Sequence, residues 1–218
     1  MKISLRRFTD YCHRAVAVVA LLALAGCAGQ GTRDVERDVV APVGTDAQAA
    51  IAVPPEALTL FEQAAAVMAS GDLVDAELRF KEFVLLYPDY PGAFVNLAII
   101  HARNGDDAAA REAVDAALAL NPDHPAALNQ LGMLLRRNGN FLEAEAAYMK
   151  AVTVSPDYAL AHYNLGVLNE LYLQRLESAL QHFEAYQSLV GEDEQVEKWI
   201  SDLNRRVAAN QRTANAAE

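Results

Sequence analysis

The chain has few residues suited to redox, metal or nucleic-acid chemistry. Its 218 residues include only two cysteines, Cys12 and Cys27, both near the N-terminus, so no disulfide framework is expected in the remainder. No HExxH, glycine-rich phosphate loop or GxSxG motif occurs. A net charge of −11 disfavours phosphate-rich partners, because nucleic-acid binding depends on Lys and Arg replacing counterions. We therefore expect no enzyme, catalytic residue, metal, cofactor, small-molecule substrate or nucleic-acid partner.

The N-terminal segment has the features of a secretory leader. Lys2, Arg6, Arg7 and Arg14 precede an apolar run of 11 residues, Ala15 to Ala25. That run is too short for a bilayer crossing, which needs about 20 apolar residues. Leu24-Ala25-Gly26-Cys27 resembles the lipobox of bacterial lipoproteins. The resemblance implies a signal peptide over 1–26 and membrane attachment through acyl chains on Cys27; the alternatives are a simple secretory signal or an uncleaved anchor.

The residue after Cys27 bears on localisation. It is Ala28 rather than Asp, which by resemblance to the sorting rule of bacteria with two membranes implies the periplasmic face of the outer membrane. A host with one membrane would place the protein on its outer face. Residues 27–55 have no aromatic residue and no periodic apolar face, and we expect a flexible tether. Removal of 1–26 takes away four of 18 basic and one of 29 acidic residues, leaving a net charge of −14.

The rest of the chain is repetitive. Pro88, Pro122 and Pro156 lie 34 residues apart, each followed by Asp. This period, with proline at each boundary, resembles tetratricopeptide repeats. The resemblance implies an all-α fold, a right-handed solenoid of about four helical hairpins plus a C-terminal capping helix. The boundaries expected are repeats within 56–190 (about 57–90, 91–124, 125–158 and 159–191), a capping helix over 192–209 and a disordered tail over 210–218.

Smaller features agree with this register. Small residues recur where two helices must approach closely, at Ala64, Ala98, Gly132 and Gly166. The turns within hairpins carry Gly71-Asp72, Gly105-Asp106 and Gly139-Asn140, which suit a helix end followed by a helix cap. The fourth unit lacks the turn glycine, and we expect a one-residue insertion near Leu173. Trp199 is expected on the apolar face of the capping helix, as part of the core, with partner binding as the alternative.

The resemblance also implies a concave groove, lined by the first helix of each hairpin, that holds a peptide or a partner helix. Helical phase assigns ten residues to this groove, called here the groove residues: Phe61, Val95, Asn96, Ile99, Asn129, Gln130, Met133, Tyr163, Asn164 and Val167. Asn96, Gln130 and Asn164 resemble the asparagine ladder that holds a peptide backbone in some superhelical members. Alternatively these amides bond to the neighbouring helix, and both interpretations stay open.

Charged residues and histidines suggest no further site. Arg103, Arg136 and Arg137 at first-helix ends could receive a partner's carboxylate, but complementing the helix dipole is the favoured interpretation. His101, His124, His162 and His182 show no metal-ligand spacing, and we expect them to be structural or solvent-facing.

These features favour a non-enzymatic, lipid-anchored adaptor that recruits a protein partner at the outer membrane. It is similar to the pilotin-type lipoproteins that help secretins assemble in type IV and Tad pilus systems. The alternative is an adaptor for peptidoglycan enzymes or for an envelope energy-transducing complex. A hydrolase with an unrecognised site would instead show two carboxylates with raised pKa values, and a self-associating structural protein would form concentration-dependent dimers.

Overall fold

A computed structural model describes residues 53–216. The expected signal peptide, Cys27 and the tether up to residue 52 lie outside this range. The part of the chain that is described contains nine α-helices and no strand: α1 (Pro55–Ala69), α2 (Leu73–Leu86), α3 (Pro91–Arg103), α4 (Asp107–Leu120), α5 (Pro125–Arg137), α6 (Phe141–Val154), α7 (Ala159–Leu171), α8 (Leu176–Val190) and α9 (Glu194–Asn215).

Successive helices pair into four hairpins. Helix α1 packs on α2, α3 on α4, α5 on α6, and α7 on α8. The second helix of each hairpin also contacts the first helix of the next, and the first helices α3, α5 and α7 contact one another in order. Helix α9 packs on α8. The predicted all-helical solenoid of four hairpins with a terminal helix is confirmed.

Glycine makes the turns within the first three hairpins. Gly71, Gly105 and Gly139 have backbone φ angles of +91°, +77° and +80°, which residues with a Cβ rarely adopt. The next residue is the N-cap of the following helix. The carboxylates of Asp72 and Asp106 accept the backbone N–H three residues on, at 3.0 Å in both cases. Asn140 occupies the same position and makes no side-chain capping bond.

The fourth hairpin has a longer turn. The N-caps of the second helices are Asp72, Asp106, Asn140 and Arg175, at intervals of 34, 34 and 35 residues. The extra residue lies between the end of α7 at Leu171 and Arg175, where Gln174 takes the left-handed conformation with φ 55°. The insertion expected near Leu173 is therefore present.

Two glycines allow the hairpins to close. An ideal Cβ at Gly132 would lie 2.5 Å from Cε1 of Tyr148, and one at Gly166 would lie 2.7 Å from Cδ1 of Phe183. Real Cβ atoms do not approach other atoms so closely. The aromatic ring of the second helix therefore packs directly on the backbone of the first helix.

The terminal helix differs from its expected boundaries. It begins where the Asp193 carboxylate accepts the N–H groups of Gln195 and Val196, and it ends at Asn215 rather than at residue 209. The disordered tail expected from 210 is therefore wrong up to Asn215. Residues 209–216 are all exposed, so this last stretch is helical without packing. Alanine, glutamine and arginine in it have high intrinsic helix propensity.

Candidate partner-binding surface

The structure buries all ten groove residues. Each is at most 4% exposed, and they lie on α1, α3, α5 and α7, as the helical phase predicted. Other residues of the fold therefore cover these side chains, and their role in partner binding stays a prediction. Sequence phase identified the helix face correctly, but it gave no information about how completely that face is covered.

Aromatic rings cover the groove residues of the first and fourth hairpins, Phe61 and Tyr163. Phe61 makes edge contacts with Phe80 and Phe83, at centroid distances of 5.4 and 5.5 Å. Tyr163 packs against Phe183, Tyr186 and Trp199, at 6.0, 5.3 and 6.0 Å. Trp199 is 6% exposed. The core interpretation of Trp199 is thus favoured over partner binding.

The amides make a bond between adjacent repeats. Asn164 Nδ2 on α7 donates to Asn129 Oδ1 on α5 at 2.9 Å, and Asn129 Nδ2 lies 3.7 Å from the sulfur of Met133. This pair supports the neighbouring-helix interpretation. The Asn164 carboxamide can still accept a hydrogen bond, because its Oδ1 is buried and receives none from a donor within residues 53–216. A buried acceptor without a donor costs about 1–3 kcal/mol.

The arginines act within the solenoid. Arg137 Nη1 donates to the Ala102 carbonyl at 3.1 Å and to Asp107 Oδ1 at 2.5 Å. The first of these is a C-terminal carbonyl of α3, so Arg137 complements the end of the preceding hairpin's first helix. The Arg136 guanidinium lies 5.9 Å from the ring centroid of Tyr172, and Arg136 is 6% exposed. The described contacts therefore assign both side chains to inter-element packing.

Two histidines form a pair that the sequence did not reveal. Nδ1 of His162 on α7 lies 3.2 Å from Nδ1 of His182 on α8, and His162 Nε2 lies 3.2 Å from the Pro156 carbonyl. The carbonyl can only accept, so His162 carries its proton on Nε2 and accepts from His182 at Nδ1. Burial, then the neighbouring His162, lowers the pKa of His182 from 6.5 to about 4, while Glu145 acts in the opposite direction.

The other histidine with a defined role is a helix cap. His124 Nδ1 accepts the Ala127 N–H at 3.3 Å at the start of α5. Within residues 53–216 no group of three or more His, Cys, Asp or Glu side chains is arranged to hold a metal ion. None of the helices in that range combines the length and hydrophobicity that a membrane crossing requires.

The carboxyl groups with a shifted pKa within residues 53–216 are shifted downwards. A hydrolase site would raise carboxyl pKa values, whereas the Ser155 hydroxyl lowers the pKa of Asp157 and a hydrogen bond from Lys198 lowers that of Glu194. The buried carboxylate of Glu170 accepts from Arg206 Nη1 at 2.7 Å, which joins α7 to α9. We assign the Glu170 carboxylate to attachment of the terminal helix.

The register of hairpins and turns agrees with family comparison. Residues 89–156 match one tetratricopeptide repeat model, and residues 129–194 match a second. The chain carries tetratricopeptide repeats. Together the two matches cover the second to fourth hairpins, and the structure adds the first hairpin at α1 and α2. Such repeats generally mediate protein–protein interaction.

Solved structures share this fold. PilF from Pseudomonas aeruginosa is 20% identical with a TM-score of 0.63, over 70% of this chain and 69% of that chain. MamA from Desulfovibrio magneticus RS-1 is 21% identical with a TM-score of 0.57, over 75% and 92%. The first tetratricopeptide domain of Spaghetti (RPAP3), bound to the HSP90 peptide SRMEEVD, is 18% identical with a TM-score of 0.50, over 54% and 95%. No curated protein matches the chain.

Proposed function

We propose that the protein is a non-enzymatic adaptor, anchored by acyl chains on Cys27 to the periplasmic face of the outer membrane, which recruits a protein partner through its tetratricopeptide repeats. The lipobox-like Leu24-Ala25-Gly26-Cys27 supports the anchor. The repeats support the adaptor role, since a related fold in RPAP3 holds a peptide.

The observation that carries the partner-binding proposal is the unmatched Oδ1 of Asn164. Its carboxamide already donates to Asn129, so the remaining acceptor suits a backbone N–H of an inserted peptide segment. Because the surrounding face is buried, the partner must displace neighbouring side chains to reach it. A hydrogen bond from the partner to Asn164 Oδ1 would offset the free-energy cost of burying that oxygen, and this gain would strengthen binding.

The proposed partner belongs to an assembly in the cell envelope. The combination of a lipobox-like motif with tetratricopeptide repeats, which resembles pilotin-type lipoproteins, favours a role in pilus or secretin assembly. An adaptor for peptidoglycan enzymes or for an envelope energy-transducing complex is the alternative. A secretin among the proteins that copurify with the full chain would support the first role. A peptidoglycan hydrolase or proton-channel subunit would support the second.

The anchor has its own test. Cells producing the full chain are fed an alkyne analogue of palmitate, and label on the protein is read after coupling to a fluorophore. We expect label on the wild type, loss of label in Cys27→Ser, and retention in Cys12→Ser. Equal labelling of wild type and Cys27→Ser would contradict the anchor without affecting the partner-binding proposal.

A further inference from the structure

Helix α2 has an apolar face that no other residue within 53–216 covers. Leu85, Val74 and Leu78 are 82%, 72% and 63% exposed, the highest exposures among the large hydrophobic residues within 53–216. Their spacing of four and seven residues puts them on one side of the helix. The opposite side carries Ala76, Phe80 and Phe83, all buried against the rest of the fold. We call Val74, Leu78 and Leu85 the α2 stripe.

The fold itself does not require this stripe. The same positions are Ala108, Glu112 and Ala119 in α4, and Glu177, Gln181 and Ser188 in α8. In α6 they are Leu142, Ala146 and Thr153, with only the first large and apolar. Three large apolar side chains in a row on a solvent-facing helix indicate an interaction surface rather than a packing need.

The charges beside the stripe match a second copy of the same helix. Glu77 and Lys81 lie along one flank and pair at 2.5 Å. If two α2 helices pack antiparallel about a two-fold axis near residues 79 and 80, Val74 of each copy faces Leu85 of the other. The same axis brings Glu77 of each copy beside Lys81 of the other. On the other flank Arg79 pairs with Asp75 at 2.9 Å on the same helix, and Glu82 follows three residues later, so that flank carries both signs with a net negative charge.

We propose that the α2 stripe docks against the α2 stripe of a second copy of this chain, in an antiparallel pair. Three apolar side chains per copy bury less than the roughly 1,200 Å² of a stable interface, so the dimer is weak and concentration-dependent. The pairing depends only on α2. The membrane anchor of the proposed function would raise the local concentration, but the interface exists without it.

A photocrosslinker placed at Leu78 of the full chain, in the cells that produce it, tests the pairing. We expect an adduct of twice the chain's mass whose peptides come from this chain alone. The matched control is the same crosslinker at Leu142, which is 62% exposed on α6, against 63% for Leu78. No adduct, an adduct with a different protein, or equal self-adducts from Leu142 would each overturn the proposal.

Charge exchange then tests the arrangement within the pair. Lys81→Glu places like charges beside Glu77 of the other copy, and we expect the yield of the Leu78 adduct to fall about fivefold or more. The double variant Glu77→Lys with Lys81→Glu restores both reciprocal pairs and should restore the yield. Far-UV circular dichroism checks that each variant folds. A double variant that stays as low as Lys81→Glu would overturn the antiparallel pairing.

Discussion

Gly166 lies against the ring of Phe183 with no room for a methyl group, since an ideal Cβ would stand 2.7 Å from both Cδ1 and Cε1. Gly166→Ala should therefore lower the free energy of unfolding by about 1–3 kcal/mol, because the ring or the helix must shift. Urea unfolding followed by circular dichroism measures this change.

The loss of stability caused by Gly166→Ala should depend on the aromatic ring of Phe183. In the second hairpin Ala98 takes the place of Gly166 and Val114 takes the place of Phe183. There the first helix has a larger residue than glycine, and the second helix has a smaller residue than phenylalanine. Gly166→Ala should thus cost less in a Phe183→Val background than in the wild type, as a double-mutant cycle would show. Equal costs in the two backgrounds would mean that the contact between Gly166 and Phe183 does not limit the substitution.

Arg137 joins two hairpins through the Ala102 carbonyl and the Asp107 carboxylate. Its side chain is 28% exposed, so the contacts are only partly screened by solvent. Arg137→Ala should lower the free energy of unfolding by about 1 kcal/mol. Arg111 is the control, since it is 49% exposed and pairs with Asp115 on its own helix, and Arg111→Ala should have little effect. Comparable losses from the two variants would show that the bridge between hairpins adds nothing.

The terminal helix is held partly by Arg206, whose partner Glu170 has a side chain only 2% exposed. Arg206→Ala removes this partner from a buried carboxylate, and we expect a loss of about 1–3 kcal/mol, below the usual range because Arg206 itself is 42% exposed. The neighbouring Arg205 is 78% exposed and pairs with Asp202. Arg205→Ala should lower the melting temperature far less than Arg206→Ala does. A larger loss in Arg205→Ala would contradict the role of Arg206 in holding the terminal helix.

The sequence predicted the hairpins because their period recurs along the chain. Proline at 88, 122 and 156, glycine at the turns and small residues at 132 and 166 each meet a local steric demand. The prolines and turn glycines act on their own backbone, and Gly132 and Gly166 are visible because they recur at the 34-residue period. The limit of α9 was missed because residues 210–215 are helical by propensity alone, without an apolar face.

The partner-binding role of the groove residues stays a prediction, but the sequence did not show that these residues are buried. Helical phase gives the direction of Asn129 or Tyr163, but burial depends on what lies beyond the helix. The pair of His162 and His182 was missed for a similar reason, since 20 residues separate them and the longer turn before α8 sets which side chains meet. The exposed stripe on α2 is visible in the sequence only when Val74, Leu78 and Leu85 are compared with the equivalent positions of other hairpins.

His182 should make the stability depend on pH. Its pKa is about 4 in the folded state and near 6.5 when unfolded. Between these values the unfolded chain binds more protons, so stability falls as pH is lowered through 6.5 towards 4 and this contribution changes no further below that. Urea unfolding at pH 7.5 and pH 5 measures the loss, which should be smaller in His182→Gln. If His182→Gln lost as much stability between pH 7.5 and pH 5 as the wild type, His182 would not be the source of the pH dependence.

The most direct test of partner recruitment compares two buried asparagines on α7. Asn164 and Asn169 each have an Oδ1 without a donor, but Asn164 bonds to Asn129 on α5 whereas Asn169 bonds to the Leu165 carbonyl of its own helix. The measurement is the amount of each envelope protein that copurifies with the full chain, by quantitative mass spectrometry, in wild type, Asn164→Ala and Asn169→Ala, with melting temperatures recorded for all three. We predict loss of a specific protein in Asn164→Ala and its retention in Asn169→Ala at similar stability. Equal capture by all three would contradict partner binding at Asn164.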